Sequence, residues 1–584
     1  MFKNKIYIKY DSFFTILFLL IIIFGLISNF LWLLNNTSLE DRWSEEGIFL
    51  SVKFINKMQE IIYESSFDIG RKFSEIFRLL RVPVEHSYGV YPQFVCFTTS
   101  LFYLLLGKTL LATKLSMLPY LLILLLSVFS IGKRVSSTLG GVVAACLVFM
   151  YPLIFESSRQ YETYFSLTAL VSLTILMLLK CDNFRNFKYS FLLGVIVGIG
   201  MLIKGQVLFF VGMPILCAVF NMIKTAKHGQ RTSDDHNFSI TIPKNVIINI
   251  SIFIVLSASI SYLWWGNKLN AASYYLRMHI WDPDKWRLWG CTGESRYSLA
   301  TITWYLRDMY SASIGPVLFL SFLPSIYKLT KKGRIEKSIF LSWLITPILL
   351  FSLVVATKYP DYLMPISPII AILTGWWIVN ICNRKYKTIL LFVIAVYSIT
   401  QFYCLTFSSK ELRGGVEGKN KLFGGTYFGD IKRKQDFKID EIIAVLRSYM
   451  PNRGAKINVL LVPLAKERPR DLETLYWLML KDRHIKAVDL IQFPKYVFYN
   501  LEDMDFVVFK MPKNYTSLTW PTKIAFLKMI EERLEPIEYN LEVKCPIWYS
   551  LLDKFCNSSD KYTITTRISP LLDYNWLIFR KYSE

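Results

Sequence analysis

Apolar residues in this chain come in blocks separated by short charged loops. Eleven such runs fill the first 405 positions, at 12–34, 115–132, 139–155, 163–180, 189–203, 206–223, 245–265, 312–330, 337–356, 361–382 and 388–405. Runs of this length, coiled as helices at about 1.5 Å per residue, reach across most or all of a hydrocarbon core of about 30 Å. A twelfth run, Tyr91 to Gly107, is ambiguous, and charge decides it. If it does not cross, the loops carrying Lys133-Arg134, Lys180 to Lys188, Lys224 to Lys244, Lys328 to Lys337 and Arg384 to Lys387 all share one side with Lys3, Lys5 and Lys9. The excess of Lys and Arg in cytoplasmic loops puts that side inside. The pattern therefore predicts eleven spans, an internal N-terminus, and an interfacial or re-entrant helix at 91–107.

From about 406 the pattern changes. Ile439 to Tyr449 and Asp471 to Leu480 space their apolar residues as amphipathic helices. Lys456 to Pro463, Met504 to Met511 and Trp576 to Tyr582 read as strands, from their β-branched and aromatic runs. The expected fold class is thus an α-helical polytopic membrane protein, with a membrane domain over 1–405 and a soluble α/β domain over 406–584. The latter shows no glycine-rich phosphate loop and is expected to support the membrane domain or recognise an acceptor.

Composition narrows the picture further. Hydrophobic residues make up 53% of the chain and aromatics 16%, and the mean hydropathy is +0.36, which excludes an ordinary soluble domain. The net charge of +23 suggests nucleic acid until its placement is considered. The cations lie in short loops between apolar runs, not in a groove, so no nucleic-acid partner is expected. No small-residue cleavage site follows the first run, which reads as a retained helix. Cysteines show no C-x-x-C spacing, so zinc is not expected.

The predicted topology gathers 35–114, 156–162, 204–206, 266–311, 358–361 and the C-terminal part on the outer side. Asp41, Glu45 and Glu46 stand at the mouth of the first span, where a carboxylate can serve as general base or belong to a solvated loop. Arg159 and Lys204 sit at helix ends and could neutralise a phosphate, with Glu162 orienting an acceptor or holding the arginine. The bland readings are a structural ion pair and a snorkelling lysine. Arg277 lies among Tyr274, Tyr275, Trp281 and Trp286, a mixture suited to sugar stacking with phosphate contact and equally to an interfacial anchor.

Taken in order, these loops resemble the multispanning GT-C glycosyltransferases that use lipid-phosphate-linked sugars, in particular protein O-mannosyltransferases, lipid A aminoarabinose transferases and family-39-like bacterial enzymes. Ser44-Glu45-Glu46-Gly47-Ile48-Phe49-Leu50 resembles the acidic pair and helix of the first external loop. His86-Ser87-Tyr88-Gly89-Val90-Tyr91-Pro92 resembles the His-Pro-Pro-like element, and Ser158-Arg159-Gln160-Tyr161-Glu162-Thr163 the second acidic motif. Gly198 to Gly205 resembles the glycine-rich helix ending in Leu-x-Lys-Gly, and Lys358 to Pro368 the late Lys-x-x-x-Tyr-x-x-Pro-x-x-Pro segment. The family's leading acid is usually Asp, so both Glu45 and Asp41 stand as candidate bases.

The resemblance implies an inverting glycosyltransferase of a bacterial or archaeal cytoplasmic membrane, with its active site and C-terminal domain outside. A polyprenyl-phosphate sugar would be the donor, a lipid, glycan or protein the acceptor, and the bilayer the third partner. It implies Arg159, Lys204, Arg277 and His86 on the donor phosphate, and Lys358, Tyr359 and Tyr362 against substrate. Metal dependence stays open, since some relatives use a divalent ion and others do not. A secondary transporter and a non-catalytic envelope-assembly scaffold are the alternatives from other classes, and a scaffold would be indifferent to replacement of Glu45.

Overall fold

Long apolar runs have to satisfy their backbone polar groups internally once water is excluded, and helices are the local solution. A computed structural model describes residues 2–35, 45–63, 69–80, 92–229, 243–266, 297–331, 336–355 and 358–407, five strands between 457 and 581, and a few isolated positions. The helices are α1 (Phe2–Asn35), α2 (Glu45–Tyr63), α3 (Ile69–Leu79), α4 (Phe94–Leu106), α5 (Leu110–Leu115), α6 (Leu118–Val135), α7 (Thr138–Met150), α8 (Pro152–Ser157) and α9 (Thr163–Lys180). They continue as α10 (Phe187–Ile203), α11 (Val207–Gly229), α12 (Lys244–Trp265), α13 (Leu299–Ile302), α14 (Trp304–Asp308), α15 (Pro316–Lys331), α16 (Glu336–Leu353), α17 (Ser367–Val379) and α18 (Arg384–Phe407).

Among the described residues, eight helices are long and apolar enough to cross a bilayer, and the chain is an integral membrane protein. Three further expected spans form shorter apolar helices, Thr138–Met150, Phe187–Ile203 and Pro316–Leu329. The first is short for a local reason. Tyr151 leaves the helical conformation and Pro152, which has no N–H to donate, restarts the chain as α8. Helix α4, within the 91–107 run, has 13 residues, the same as α7, and so reaches about 20 Å.

Helices α7, α9 and α17 are buried almost throughout, whereas α1 and α18 expose Phe13, Ile16, Ile389 and Phe392 outward. Helix α7 packs on α6 and α17 through small residues that bring the backbones close, the usual device where apolar side chains alone give no preference between helix and lipid. A methyl group at Gly141 would stand 2.5 Å from the Phe129 carbonyl oxygen and 2.9 Å from the Lys133 nitrogen. Backbone cannot step aside, so Gly141→Ala is expected to lower thermal stability in detergent by about 1–3 kcal/mol. Gly212→Ala, where a methyl meets nothing within 4 Å, is the control and should be neutral or mildly stabilising. Equal melting temperatures for the two variants would refute the close-approach argument.

The two ends of this bundle differ chemically. At one end Arg134 pairs with Glu336, Lys387 with Asp11, and Lys328 donates to the Asn380 carbonyl. At the other, Asn29 of α1 and Thr406 of α18 meet Arg159. Asp11 to Asn29 and Lys387 to Thr406 correspond to about 27–28 Å of helix rise, close to one hydrocarbon thickness. The Arg134, Lys328 and Lys387 contacts and the Arg159 region therefore lie at opposite ends of the bundle.

The chain divides into two compact units, one holding nearly all of residues 1–430 and the other Ile431–Glu584 with two short upstream pieces. In the second unit β1 (Ile457–Pro463), β2 (Ile485–Asp489), β3 (Phe506–Pro512), β4 (Tyr562–Ile568) and β5 (Tyr574–Lys581) form one sheet of order β2-β1-β3-β5-β4. Pairs β1/β2 and β1/β3 are parallel, and β3/β5 and β4/β5 antiparallel, with a register shift between Ile564 and Thr566. The helices expected at Ile439–Tyr449 and Asp471–Leu480 fall outside the described residues apart from isolated positions.

Candidate active site

The segment after α8 turns the chain back toward the boundary and buries polar residues in succession. Glu156, Arg159, Gln160 and Glu162 are each 5% exposed or less. The Arg159 guanidinium donates through Nε to Asn29 Oδ1 and through Nη2 to Thr406 Oγ1 at 3.1 Å. Asn29 Nδ2 in turn donates to Ser158 Oγ at 3.1 Å. Rings of Trp32, Phe155 and Phe402 surround the cation at 4.8, 5.1 and 5.4 Å. Burial draws the guanidinium down to about 9, against the opposing pull of Glu156, so it stays positive at neutral pH. Its side-chain hydrogen-bond partners are neutral, and the buried Glu156 carboxyl lies within electrostatic reach of it.

A second cluster adjoins it, since α8 and α9 both pack on the 3₁₀ turn Pro360–Ile366. Glu162 caps α9, its Oε1 accepting from the Tyr164 N–H at 3.0 Å. Lys204 ends α10 and sets its ammonium 3.3 Å from the centre of the Tyr164 ring. Glu162 and Asp361 both lie within electrostatic reach of Lys204 and of each other. The Tyr362 ring is tilted against Tyr164 and meets Tyr359 edge-on, each at 5.3 Å between centres. Burial, then the charge of Asp361, push the Glu162 carboxyl from 4.5 up to about 8, with the Tyr164 N–H and Lys204 pulling the other way. Asp308 joins the same neighbourhood through the π-helical turn Met309–Ser313, which packs on α8. Its Oδ2 accepts from Ser313 Oγ at 2.5 Å, and burial lifts it to about 7.

The raised Glu162 carboxyl has a testable consequence. Between pH 4.5 and about 8 the unfolded chain has lost this proton while the folded chain keeps it. The group therefore favours the fold at low pH and its contribution is lost as pH rises through about 8. The wild-type melting temperature in detergent should fall between pH 5 and 9. Glu162→Gln retains the cap acceptor but cannot ionise, so its curve should be flatter. Parallel curves would mean that Glu162 titrates normally.

Of the residues singled out in the sequence, Arg159, Glu162, Lys204, Tyr359 and Tyr362 come together in this region. Lys358 is also there, buried, but its ammonium donates to the carbonyls of Phe351, Ser352 and Val355, closing the C-terminal end of α16 where helical partners run out. Glu45 and Glu46 open helix α2, and their side chains lie outside the described residues, as do Asp41, His86 and Arg277. Sequence reasoning passed over Asp361 and Asp308 as site residues. Asp361 was visible as an acid inside Lys358 to Pro368, between a Pro and a Tyr at a span boundary. Asp308 carried no local signal. Among the described residues no group of three or more His, Cys, Asp or Glu is arranged to hold a metal ion.

The fold has a counterpart among solved structures. ArnT from Cupriavidus metallidurans bound to undecaprenyl phosphate aligns at a TM-score of 0.54 and 11% identity, covering 96% of this chain and 97% of that one. The chain has the GT-C fold. The apo state of the same ArnT matches this chain at a TM-score of 0.51, 11% identity and the same coverage. Residues 91–232 match the family model for dolichyl-phosphate-mannose-protein mannosyltransferase, a stretch short of half the chain that includes Arg159, Glu162 and Lys204. No curated protein matches the sequence significantly.

Proposed function

We propose that this GT-C protein is a glycosyltransferase that moves a sugar from a polyprenyl-phosphate donor to an acceptor at the outer face of the membrane, with inversion. The observation that carries the reading is the pair of buried cations, Arg159 and Lys204, in a fold that aligns end to end with an ArnT bound to undecaprenyl phosphate. The outer-face assignment rests on the opposite end carrying the basic loops. Residues 1–405 are the catalytic domain in this reading, and 406–584 a separate extracytoplasmic domain.

In the reaction an acceptor oxygen or nitrogen attacks the anomeric carbon as the bond from that carbon to the phosphate oxygen breaks. The acceptor proton passes to a carboxylate, and the polyprenyl phosphate leaves with a second negative charge. That charge needs cations, not a proton donor, and Arg159 and Lys204 supply them. Glu162 holds its proton up to about pH 8, so it is a poor base at neutral pH and better suited to orient the acceptor. The base is then sought in the first external loop, where Glu45 is the first choice and Asp41 the second. Glu46 orients, and Tyr359 and Tyr362 line the substrate.

The deciding experiment incubates the purified protein with radiolabelled polyprenyl-phosphate sugars and a membrane extract. Transfer of label from the polyprenyl fraction to a lipid, glycan or protein fraction is expected and names the acceptor class. Label that stays on the polyprenyl carrier across a panel of donors would overturn the reading.

A further inference from the structure

Asn29 lies in α1, fully buried and followed by the apolar run Phe30 to Leu34. Its orientation follows from its neighbour. A guanidinium only donates hydrogen bonds, so the amide oxygen faces Arg159 and accepts from Nε. The amide nitrogen then donates to Ser158 Oγ at 3.1 Å, and that hydroxyl passes its own proton to the Phe155 carbonyl at 2.7 Å. Every bond in this chain runs one way, and the arginine sets the direction. From α18 the buried Thr406 hydroxyl accepts from Nη2 at 3.1 Å. Two N–H groups are thus placed, while those of Nη1 meet no acceptor among the described residues. Both holders are neutral, and the one acid acting on the guanidinium, Glu156, does so by electrostatic reach.

We propose that Asn29 and Thr406 are positioning residues for the donor phosphate, holding the Arg159 guanidinium by neutral acceptors so that Nη1 is left to a phosphate oxygen. The inference rests on the glycosyltransferase reading above and adds to it how the cation is aimed. It accounts for an amide where a carboxylate would bind the arginine more strongly. Hydrogen bonds between a guanidinium and a carboxylate are the stronger kind, so an anchor with a purely structural task is served at least as well by aspartate. An aspartate here would also bring a second negative charge to the cation, beside that of Glu156, and weaken its attraction for an anion. Asparagine and threonine fix the fork and leave its charge in place. A buried amide in a membrane helix is costly unless both its ends are satisfied, and here both are.

Native mass spectrometry of the full chain in mild detergent tests this, with undecaprenyl phosphate and undecaprenol as probes. The two differ only in the phosphate, so their retention ratio reads headgroup recognition, whereas a loosened fold lowers both together. Wild type should favour the phosphate about tenfold or more. Asn29→Asp should cut that ratio about three- to tenfold with its melting temperature held near wild type. Thr406→Val, which keeps the shape and loses the acceptor, should cut it by a similar factor, and Thr406→Ser should restore it. A wild-type ratio in Asn29→Asp or in Thr406→Val, with the ratio lost in Arg159→Met, would return that residue to a structural role and leave the glycosyltransferase reading intact. A ratio near one in wild type, or one unmoved by Arg159→Met, would overturn the inference together with the place of Arg159 in the donor site. Loss of the ratio in both holder variants, from a wild type that transfers no sugar, would uphold the positioning and refute the transferase.

Discussion

Glu45→Gln should lower turnover about a hundredfold or more while the protein still folds. The substitution keeps side-chain shape and removes the proton acceptor, and general-base catalysis is worth about that much. Glu45 is the first residue of α2, where the partial positive charge of a helix N-terminus favours the ionised carboxylate. Glu162, by contrast, is deep in the bundle and holds its proton. In the proposed reaction the two acids take different tasks, Glu45 accepting a proton and Glu162 orienting the acceptor. Single-turnover rates with a labelled donor separate the candidates. A dead Asp41→Asn with an active Glu45→Gln would move the base to Asp41. Full activity in both would remove the first external loop from the chemistry.

Removal of the Arg159 charge should have the next largest effect. Arg159→Met fills much of the space between Trp32, Phe155 and Phe402 but offers nothing to a departing phosphate. A hydrogen bond to a charged group contributes about 1.5–3 kcal/mol, so kcat/KM for the donor should fall about 10- to 150-fold. Arg159→Lys restores the charge without the planar fork, and should recover only part of the loss. Stability must be read alongside, because either variant leaves the Asn29 or Thr406 acceptor unsatisfied. A structural arginine would lower the melting temperature and leave donor kinetics of the folded fraction unchanged. A donor-binding arginine moves the kinetics even in the fraction that folds.

Much of the architecture was legible along the chain. Hydropathy is summed over local windows, so the apolar runs from 12–34 to 388–405 reappear as helical segments in nearly the same places, with 139–155 divided into α7 and α8 and 361–382 into a 3₁₀ turn and α17. Strands over 456–463, 504–511 and 576–582 were read from β-branched and aromatic runs and coincide closely with β1, β3 and β5. Strands β2 and β4 were not read. IKAVD is short and mixed, and YTITTRI alternates polar threonines that suit a loop as well. Helix lengths were less accessible, because Pro152 cuts an apolar run whose composition alone looks continuous.

Partnership within the site was another matter. Residues at boundary positions announced themselves by charge, which is why Arg159, Glu162 and Lys204 could be named before any fold was known. What each one faces depends on helix packing between distant parts of the chain. Asn29 meets Arg159 across 130 positions and Thr406 meets it across 247, and neither asparagine nor threonine in an apolar run reveals its partner. Asp361 and Asp308 enter the site only because a 3₁₀ turn and a π-helical turn pack beside α8. Lys358 looked like a substrate cation until the end of α16 placed three carbonyls around it. Helix formation in a membrane is decided by each segment's own hydropathy, whereas the polarity of a buried position is decided by whatever the bundle packs against it.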